Sequence, residues 1–129
     1  MAQRPKAKVS DFMTSIDPNK PITIKPNETI EKAWKDIRSS GESSLIVLNN
    51  NDEPKKLLRI ADISGLNRSE PITTILADLP DINTASADDD MDRVADKLSD
   101  YPLTVVLRNN NPVGILTPSN LVDFWKNRI

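Results

Sequence analysis

The densest group of ionisable side chains in the sequence is the acidic run Asp88-Asp89-Asp90, which Asp92 follows closely. Carboxylate oxygens are the ligands that Mg²⁺ and Ca²⁺ prefer. The run lacks the alternate spacing and the distal glutamate of a calcium-binding loop, and the helix dipole favours acidic residues at a helix start. We therefore predict an acidic helix start here and no metal site.

Histidine and cysteine are both absent from the 129 residues. Their absence excludes serine-histidine-aspartate triads, thiol catalysis, disulfide frameworks and most zinc sites. The sequence also has no glycine-rich loop that could cradle phosphates, and its remaining nucleophiles and bases are separate hydroxyls and carboxylates. We predict that the protein is not an enzyme and that it requires no cofactor.

Charge and hydropathy exclude further classes of protein. The net charge is −2, which is unlike the basic surface of a nucleic-acid binder. The longest apolar run, 45–48, has four residues, far short of the roughly 20 that a membrane helix needs. The first residues also lack the apolar segment of a signal peptide. We expect a cytoplasmic protein that binds neither nucleic acid nor membrane.

The elements that must position any functional side chain form an internal repeat. Apolar residues at the i, i+3, i+4, i+7 spacing of a helix face occur twice. They are Ile30, Ala33, Trp34 and Ile37 in the first copy and Met91, Val94, Ala95 and Leu98 in the second, 61 residues later. A short apolar run follows each helix and predicts a buried strand, and an asparagine- and proline-containing turn then leads to a returning strand and a second helix.

A short helical turn and an extended piece precede each of these helices, so each repeat is predicted to have the order β-α-β-β-α. The predicted organisation is a flexible tail over 1–8, a first repeat over 9–66, a polar linker over 67–71 and a second repeat over 72–129. A copy of about 60 residues buries little surface by itself. We therefore expect the two copies to pack together as one module.

Three segments carry a resemblance to a known family. They are Val9-Ser10-Asp11-Phe12-Met13, the strand and helix start over 22–30, and Gly114-Ile115-Leu116-Thr117-Pro118-Ser119-Asn120-Leu121. In this tandem order the chain resembles a pair of CBS domains, the Bateman module. The resemblance implies an α/β (α+β) fold with two repeats related by a pseudo-two-fold axis. It also implies a regulatory module that binds adenosyl ligands in clefts between the repeats and pairs into a dimer.

The nucleotide signature of that family has a glycine, a serine or threonine and an aspartate where the last strand meets the last helix. The second copy matches it with Gly114, Thr117 and Ser119 but has Asn120 at the aspartate position. An aspartate can accept hydrogen bonds from both ribose hydroxyls, whereas an asparagine offers one acceptor oxygen. Helix capping explains Asn120 equally well, and helix capping or solvation of the strand end explains Thr117 and Ser119.

The first copy departs from the signature at other positions. Asp62 stands at the aspartate position, with Arg59 at the threonine position and Lys56 at the glycine position. Asp62 is interpreted either as a ribose ligand or as a helix cap. Arg59 is interpreted as a solvated edge residue, a phosphate partner or a plug of the cleft.

Two residues of the first strand, Thr23 and Ile24, match positions that in the family contact the base or the ribose. Thr84 and Ala85 are their approximate counterparts in the second copy. Ordinary strand packing explains all four residues equally well.

The leading hypothesis is a stand-alone regulatory module that senses AMP, ATP or S-adenosylmethionine and acts on a partner protein. The alternative is a ligand-free scaffold or dimerisation protein with degenerate nucleotide sites. We expect a homodimer because the C-terminal helix carries apolar residues beyond the needs of a small core, Leu121, Phe124, Trp125 and Ile129. The two halves of the chain carry opposite net charges, which favours a head-to-tail pairing.

Overall fold

Residues 7–126, the part of the chain that the computed structural model describes, form seven β-strands and four α-helices. The strands are β1 (Thr14–Ser15), β2 (Thr23–Ile24), β3 (Ser44–Leu48), β4 (Pro54–Arg59), β5 (Asn83–Ser86), β6 (Thr104–Arg108) and β7 (Asn111–Leu116). The helices are α1 (Ile30–Ser40), α2 (Ile60–Ile63), α3 (Met91–Ala95) and α4 (Pro118–Lys126). Short 3-10 turns lie at Val9–Asp11, Ile72–Thr74 and Leu76–Asp78. The α+β class that the sequence predicts is confirmed.

The described chain divides into two units. The central unit consists of residues 17–82 and contains the sheet β2-β3-β4 with α1 and α2. The terminal unit consists of residues 7–16 and 83–126 and contains the sheet β1-β7-β6-β5 with α3 and α4. Strand β2 runs parallel to β3 and β5 runs parallel to β6, and the other pairs are antiparallel.

These units do not coincide with the repeats of the sequence, because the opening segment of each repeat packs on the rest of the other repeat. The Val9 and Ser10 amides donate to the carbonyl oxygens of Asp89 and Ala87, at 2.9 and 3.0 Å. In the central unit the Ile72 and Thr73 amides donate in the same way to Glu28 and Pro26, at 2.9 and 3.0 Å. Each opening turn therefore completes the unit formed by the body of the other repeat.

Helix α1 has well-defined signals at both ends. The Thr29 hydroxyl accepts a hydrogen bond from the Lys32 amide at 3.1 Å, which caps the first turn. Gly41 ends the helix in the left-handed conformation, with φ of 73°, and its amide donates to the Ile37 carbonyl at 3.2 Å. The face of α1 that the sequence predicts is buried in a core with β3, β4 and α2; this core includes Ile30, Ala33, Ile37, Leu45, Val47, Leu58, Ile63 and Ile72.

Helix α3 is shorter than its apolar spacing predicts. It ends at Ala95, and the Lys97 and Leu98 amides bond three residues back, to Val94 and Ala95, instead of four. The chain tightens there, yet Leu98 keeps its place in the core. The core of the terminal unit consists of Val9, Ala85, Ala87, Met91, Val94, Ala95, Leu98, Val106, Leu116, Leu121 and Phe124.

Both strand hairpins turn at the predicted asparagine-rich segments. Asp52 adopts a positive φ of 62° in the first turn, and Asn109 and Asn110 adopt 52° and 65° in the second. Pro54 and Pro112, interpreted from the sequence as strand breakers, instead lie within β4 and β7, next to register shifts in the partner strands. Such irregularities are where a strand tolerates a residue without an amide donor.

The described residues of the predicted tail and linker form backbone hydrogen bonds with the first residues of α3 and α1. The Met91 amide donates to the Ala7 carbonyl at 2.8 Å, and the Ile30 amide donates to the Glu70 carbonyl at 2.9 Å. Residues 1–6 of the predicted tail lie outside the described part. None of the helices within 7–126 has the length and apolar composition that crossing a bilayer would require.

Candidate functional site

The start of α4 is organised by the side chain of Asn120. Its Oδ1 accepts hydrogen bonds from the Thr117 amide at 2.8 Å and from the Thr117 hydroxyl at 3.1 Å. Its Nδ2 donates to the Phe12 carbonyl at 2.8 Å and to the Thr14 hydroxyl at 3.3 Å. Asn120 is buried, whereas Ser119 is exposed on the first turn. At the aspartate position of the signature the terminal unit therefore has an amide that joins α4 to the N-terminal segment.

The start of α2 has the equivalent arrangement with an ion pair. The Asp62 Oδ2 accepts from the Arg59 amide at 2.8 Å and from the Arg59 Nε at 3.3 Å. The Arg59 side chain is 53% exposed and that of Asp62 is 20% exposed. Arg59 is therefore a half-exposed residue at the end of β4 that partners Asp62, and its role toward a ligand stays a prediction.

The glycine position of the signature is covered by neighbouring chain in both units. A Cβ on Gly114 would lie 2.8 Å from Met13 Cγ and 3.1 Å from the Thr14 carbonyl oxygen, so Met13 packs directly over this residue. In the central unit, Lys56 Nζ contacts the Asp81 carboxylate at 2.7 Å and the Leu79 carbonyl at 3.1 Å. Segments 12–14 and 79–81 thus occupy equivalent places on β7 and β4.

The strands that precede helices α1 and α3, β2 and β5, are edge strands. Thr23 begins β2, and Thr84 is the second residue of β5. In a parallel pair, alternate residues turn both backbone groups toward the neighbouring strand. The Asn83 amide donates at 3.1 Å to the carbonyl of Leu103, just before β6, and the Ala87 amide donates at 2.9 Å to the carbonyl of Leu107 within β6. Residues 83, 85 and 87 therefore face β6, and Thr84 turns its N–H and C=O away from the sheet. Thr23 has the same orientation, because the carbonyl of Ile22 accepts from the Ile46 amide at 2.8 Å.

Ser86, the other outward-facing residue of β5, is already bonded. Its amide donates to Asp89 Oδ2 at 2.9 Å, and its carbonyl accepts from the Asp89 amide at 3.0 Å. Thr84 therefore supplies the free donor and acceptor of this edge within the described terminal unit.

Two adjoining grooves of the terminal unit meet at Thr84 and Asp89. One has a volume of about 210 Å³ and is lined by Asn83, Thr84, Asp89, Arg93, Val94 and Lys97. The other has a volume of about 410 Å³ and is lined by Thr84, Ala85, Ser86, Asp89, Leu107, Asn109 and Asn110. Small-molecule sites have volumes of about 300–1,000 Å³, so the second groove lies in the lower part of that range and the first lies below it.

The acidic residues at the start of α3 act locally. Asp90 Oδ1 accepts from the Asp92 amide at 3.0 Å and caps the helix, and Asp88 lies 3.9 Å from Lys8 Nζ. Within residues 7–126, no three carboxylates lie close enough together to hold a metal ion.

Of the four apolar residues predicted to lie at a dimer interface, two belong to the core of the terminal unit instead. Leu121 and Phe124 are buried, and Phe124 packs edge-on against Phe12 with ring centroids 5.1 Å apart. Trp125, at 56% exposure, and Val122, at 47%, form the outer face of α4. Ile129 lies outside the described residues. The helix period explains the burial of these two residues, because α4 turns Leu121 and Phe124 toward the core.

The structure brings the signature residues together in pairs, Arg59 with Asp62 and Thr117 with Asn120. Thr23 and Ile24 lie across β3 from β4, which leads to the first pair, and Thr84 lies across β6 from β7, which leads to the second. With strands spaced about 4.8 Å apart, an edge threonine lies roughly 10 Å from the strand that ends at the signature. Ile24 and Ala85 face the cores.

Sequence reasoning missed two groups of residues that shape this region. The sequence predicts a helical turn that ends at Met13 and assigns Thr14 to no element, although Thr14 begins β1 and pairs with Ile115. Arg93 and Lys97 were not singled out. The 61-residue offset was the available signal, since it aligns them with Lys32 and Asp36.

Lys32 and Asp36 form an i,i+4 ion pair on α1, with Nζ and Oδ1 2.8 Å apart. The side-chain hydrogen bond to Asp36 is the main cause that raises the pKa of Lys32 above its ordinary value of 10.5. Desolvation opposes the shift, and the charges of Asp36 and Glu28 add to it. On α1 of the central unit, the charge of Lys32 is therefore neutralised by Asp36.

The model of the CBS domain matches the chain twice, over residues 9–66 and 75–127. Because these matches span more than half of the sequence, the chain belongs to the CBS-domain family, and the resemblance of its tandem repeats to that family is confirmed. Sequence comparison with curated proteins gives no match.

Solved structures share the fold at low sequence identity. The CBS domains of a transcriptional regulator from Streptococcus pneumoniae have a TM-score of 0.66 at 13% identity, covering 91% of this chain and 98% of that one. A conserved protein from Pyrococcus horikoshii has a TM-score of 0.62 at 21% identity, covering 98% of each chain. A hemolysin-like CBS-domain protein from Oenococcus oeni has a TM-score of 0.68 at 19% identity, covering 92% of this chain and 89% of that one. These likenesses show the fold, and they fit the two-repeat module that the family match indicates.

Proposed function

We propose that this chain is a regulatory CBS module that senses an adenosyl ligand of the AMP, ATP or S-adenosylmethionine type in the cytoplasm and acts on a partner protein without catalysing a reaction. Tandem CBS domains commonly serve regulatory or ligand-binding roles, and membership of the family supports the general class. The single observation that carries the finer proposal is the outward-facing backbone of Thr84 between two grooves.

The N–H and C=O of one edge-strand residue point the same way and form an adjacent donor and acceptor. Adenine presents the complementary pair, an N6–H donor beside a ring-nitrogen acceptor. A base that paired with Thr84 would lie where the grooves meet, and Asn83, Ser86 and Leu107 line the adjoining surfaces. The equivalent residue Thr23 offers the same pair in the central unit.

Substitution of Thr84 by proline tests this reading with little disturbance of the sheet. Proline removes the outward N–H, and edge strands tolerate proline where the amide faces away from the neighbouring strand. Thr84→Ala is the matched control because it removes the hydroxyl and keeps the amide. We expect Thr84→Pro to lose the response to ligand and Thr84→Ala to keep it.

The readout is a thermal-shift series with AMP, ADP, ATP and S-adenosylmethionine. A ligand at 100 times its Kd adds about 2.7 kcal/mol to the free energy of unfolding, which raises Tm by roughly 5 °C or more for a domain of this size. A shift with at least one of these compounds that disappears in Thr84→Pro supports the proposal. The absence of any shift at millimolar ligand would contradict it.

The alternative function is a ligand-free scaffold, and one observation favours it. The side chains of Asp62 and Asn120, at the ribose positions of the signature, are both bonded within their own units. A scaffold would show no thermal shift with any adenosyl compound while it still associated with itself or with an effector protein.

A further inference from the structure

We propose that the groove beside Thr84 recognises the phosphate of a nucleoside phosphate through Arg93 and Lys97, so that the terminal unit is the nucleotide-binding half of the chain. This inference rests on the proposed function and narrows its ligand class. It selects phosphate-bearing adenosyl compounds over adenosine and over S-adenosylmethionine.

The first observation is a difference in charge between equivalent positions of the two units. The 61-residue offset that aligns the repeats places Arg93 on Lys32 and Lys97 on Asp36. In the central unit the residues at these two positions form an ion pair, with Lys32 Nζ 2.8 Å from Asp36 Oδ1. In the terminal unit both residues are cations, so they cannot form an ion pair with each other.

The two cations are also available to a ligand. Both are exposed, and neither forms an ion pair within 4.0 Å among residues 7–126. Both line the groove of about 210 Å³ together with Thr84. An arginine beside a lysine suits a phosphate, because the guanidinium offers a fork of donors and the ammonium a point charge.

Asp89 lines the same groove, and its negative charge would repel an anion. One of its carboxylate oxygens, however, is hydrogen-bonded to the backbone. Its Oδ2 accepts the Ser86 amide at 2.9 Å, which holds it against the end of β5. The groove therefore contains two cations and one carboxylate that is bonded to the backbone. The two cations attract a phosphate placed beside them and repel the cationic sulfonium of S-adenosylmethionine.

The test is calorimetric titration of the full chain with AMP, adenosine and inorganic phosphate. Three proteins are compared: the wild type, the double variant Arg93→Gln/Lys97→Gln, and Lys32→Gln as the control at the equivalent position. All substituted side chains are exposed, and thermal melts verify that the variants fold.

We expect the wild type to bind AMP at least about tenfold more tightly than adenosine, since one hydrogen bond to a charged group lowers a dissociation constant by about that factor or more. The double variant should bind AMP as weakly as adenosine, with its adenosine affinity unchanged, and Lys32→Gln should keep the AMP preference. Equal wild-type affinities for AMP and adenosine, or an AMP preference that survives in the double variant, would overturn this inference and leave the proposed function standing.

Two other results overturn it for different reasons. Inorganic phosphate that binds the wild type as tightly as AMP does would make the groove a site for free anions. Failure of both AMP and adenosine to bind the wild type would remove the proposed function, and this inference with it.

Discussion

The Asn120 side-chain amide donates a hydrogen bond to the carbonyl oxygen of Phe12 across 2.8 Å, joining residues that are 108 positions apart in the chain. The same side chain accepts two hydrogen bonds from Thr117. An aspartate could accept from Thr117 but could not donate to Phe12. The asparagine at this position of the family signature therefore has a role in the fold, which the residue type alone leaves ambiguous.

Replacement of Asn120 by aspartate is expected to destabilise the chain by about 1–3 kcal/mol, because a buried carbonyl loses its donor and faces a carboxylate. Urea denaturation of both proteins measures the change. Asp62→Asn is the control at the equivalent position, and it should cost under about 1 kcal/mol since an acceptor oxygen remains for the Arg59 amide. Equal stability of Asn120→Asp and the wild type would show that the bond to Phe12 contributes nothing.

Replacement of Gly114 by alanine is expected to cost about 1–3 kcal/mol, since the new methyl group would overlap Met13. The cause can be isolated with a double-mutant cycle, because shortening Met13 to alanine opens the space that the methyl needs. Gly114→Ala should therefore cost less in the Met13→Ala background. A cost that is identical in both backgrounds would assign the strain to the Thr14 carbonyl or to the β7 backbone.

The Lys32–Asp36 pair predicts a specific pH dependence. Because the folded pKa of Lys32 is raised, the contribution of the pair is fully present below the ordinary lysine value and is lost as pH rises through the raised value. The Lys32 side chain is 48% exposed, so this contribution stays under about 0.5 kcal/mol. NMR titration of Lys32 in the wild type and in Asp36→Asn should show a lower pKa in the variant, and equal values would contradict the assignment to Asp36.

Self-association through the outer face of α4 is a further expectation. Trp125 and Val122 are exposed there, and large exposed apolar side chains commonly mark interfaces. Light scattering should report a dimer for the wild type and a weaker dimer for Trp125→Ala. Arg38→Ala, an exposed substitution on a different helix, is the control and should leave the mass unchanged. A monomeric wild type would refute the expectation.

The helices and central strands could be predicted because their signals are local. The face of Ile30, Ala33 and Ile37 and the apolar run of β3 specify their own structure. Strand β1 could not be predicted, since two polar residues, Thr14 and Ser15, become a strand only when β7 offers them a partner. A short polar segment carries no period that would reveal such pairing.

Local sequence patterns also could not predict which segments of the chain make up each unit. A repeat shows which segments are equivalent, and it does not show which copy each segment joins, because both copies offer matching backbone partners. The same reasoning applies to the candidate site. Thr84 and Thr23 were recognised by their position, but the cations beside Thr84 became meaningful only when the fold placed Arg93 and Lys97 along the same groove.

The most direct test of the central claim is the backbone amide of Thr84, observed by NMR as AMP is added. We predict a saturable shift of this resonance, larger than those of exposed amides remote from the groove such as Asn67, because a base that accepts from the Thr84 N–H changes the hydrogen bonding of that amide directly. A Thr84 amide that stays unmoved while AMP binds would show that the ligand lies elsewhere, and no binding at all would favour the scaffold.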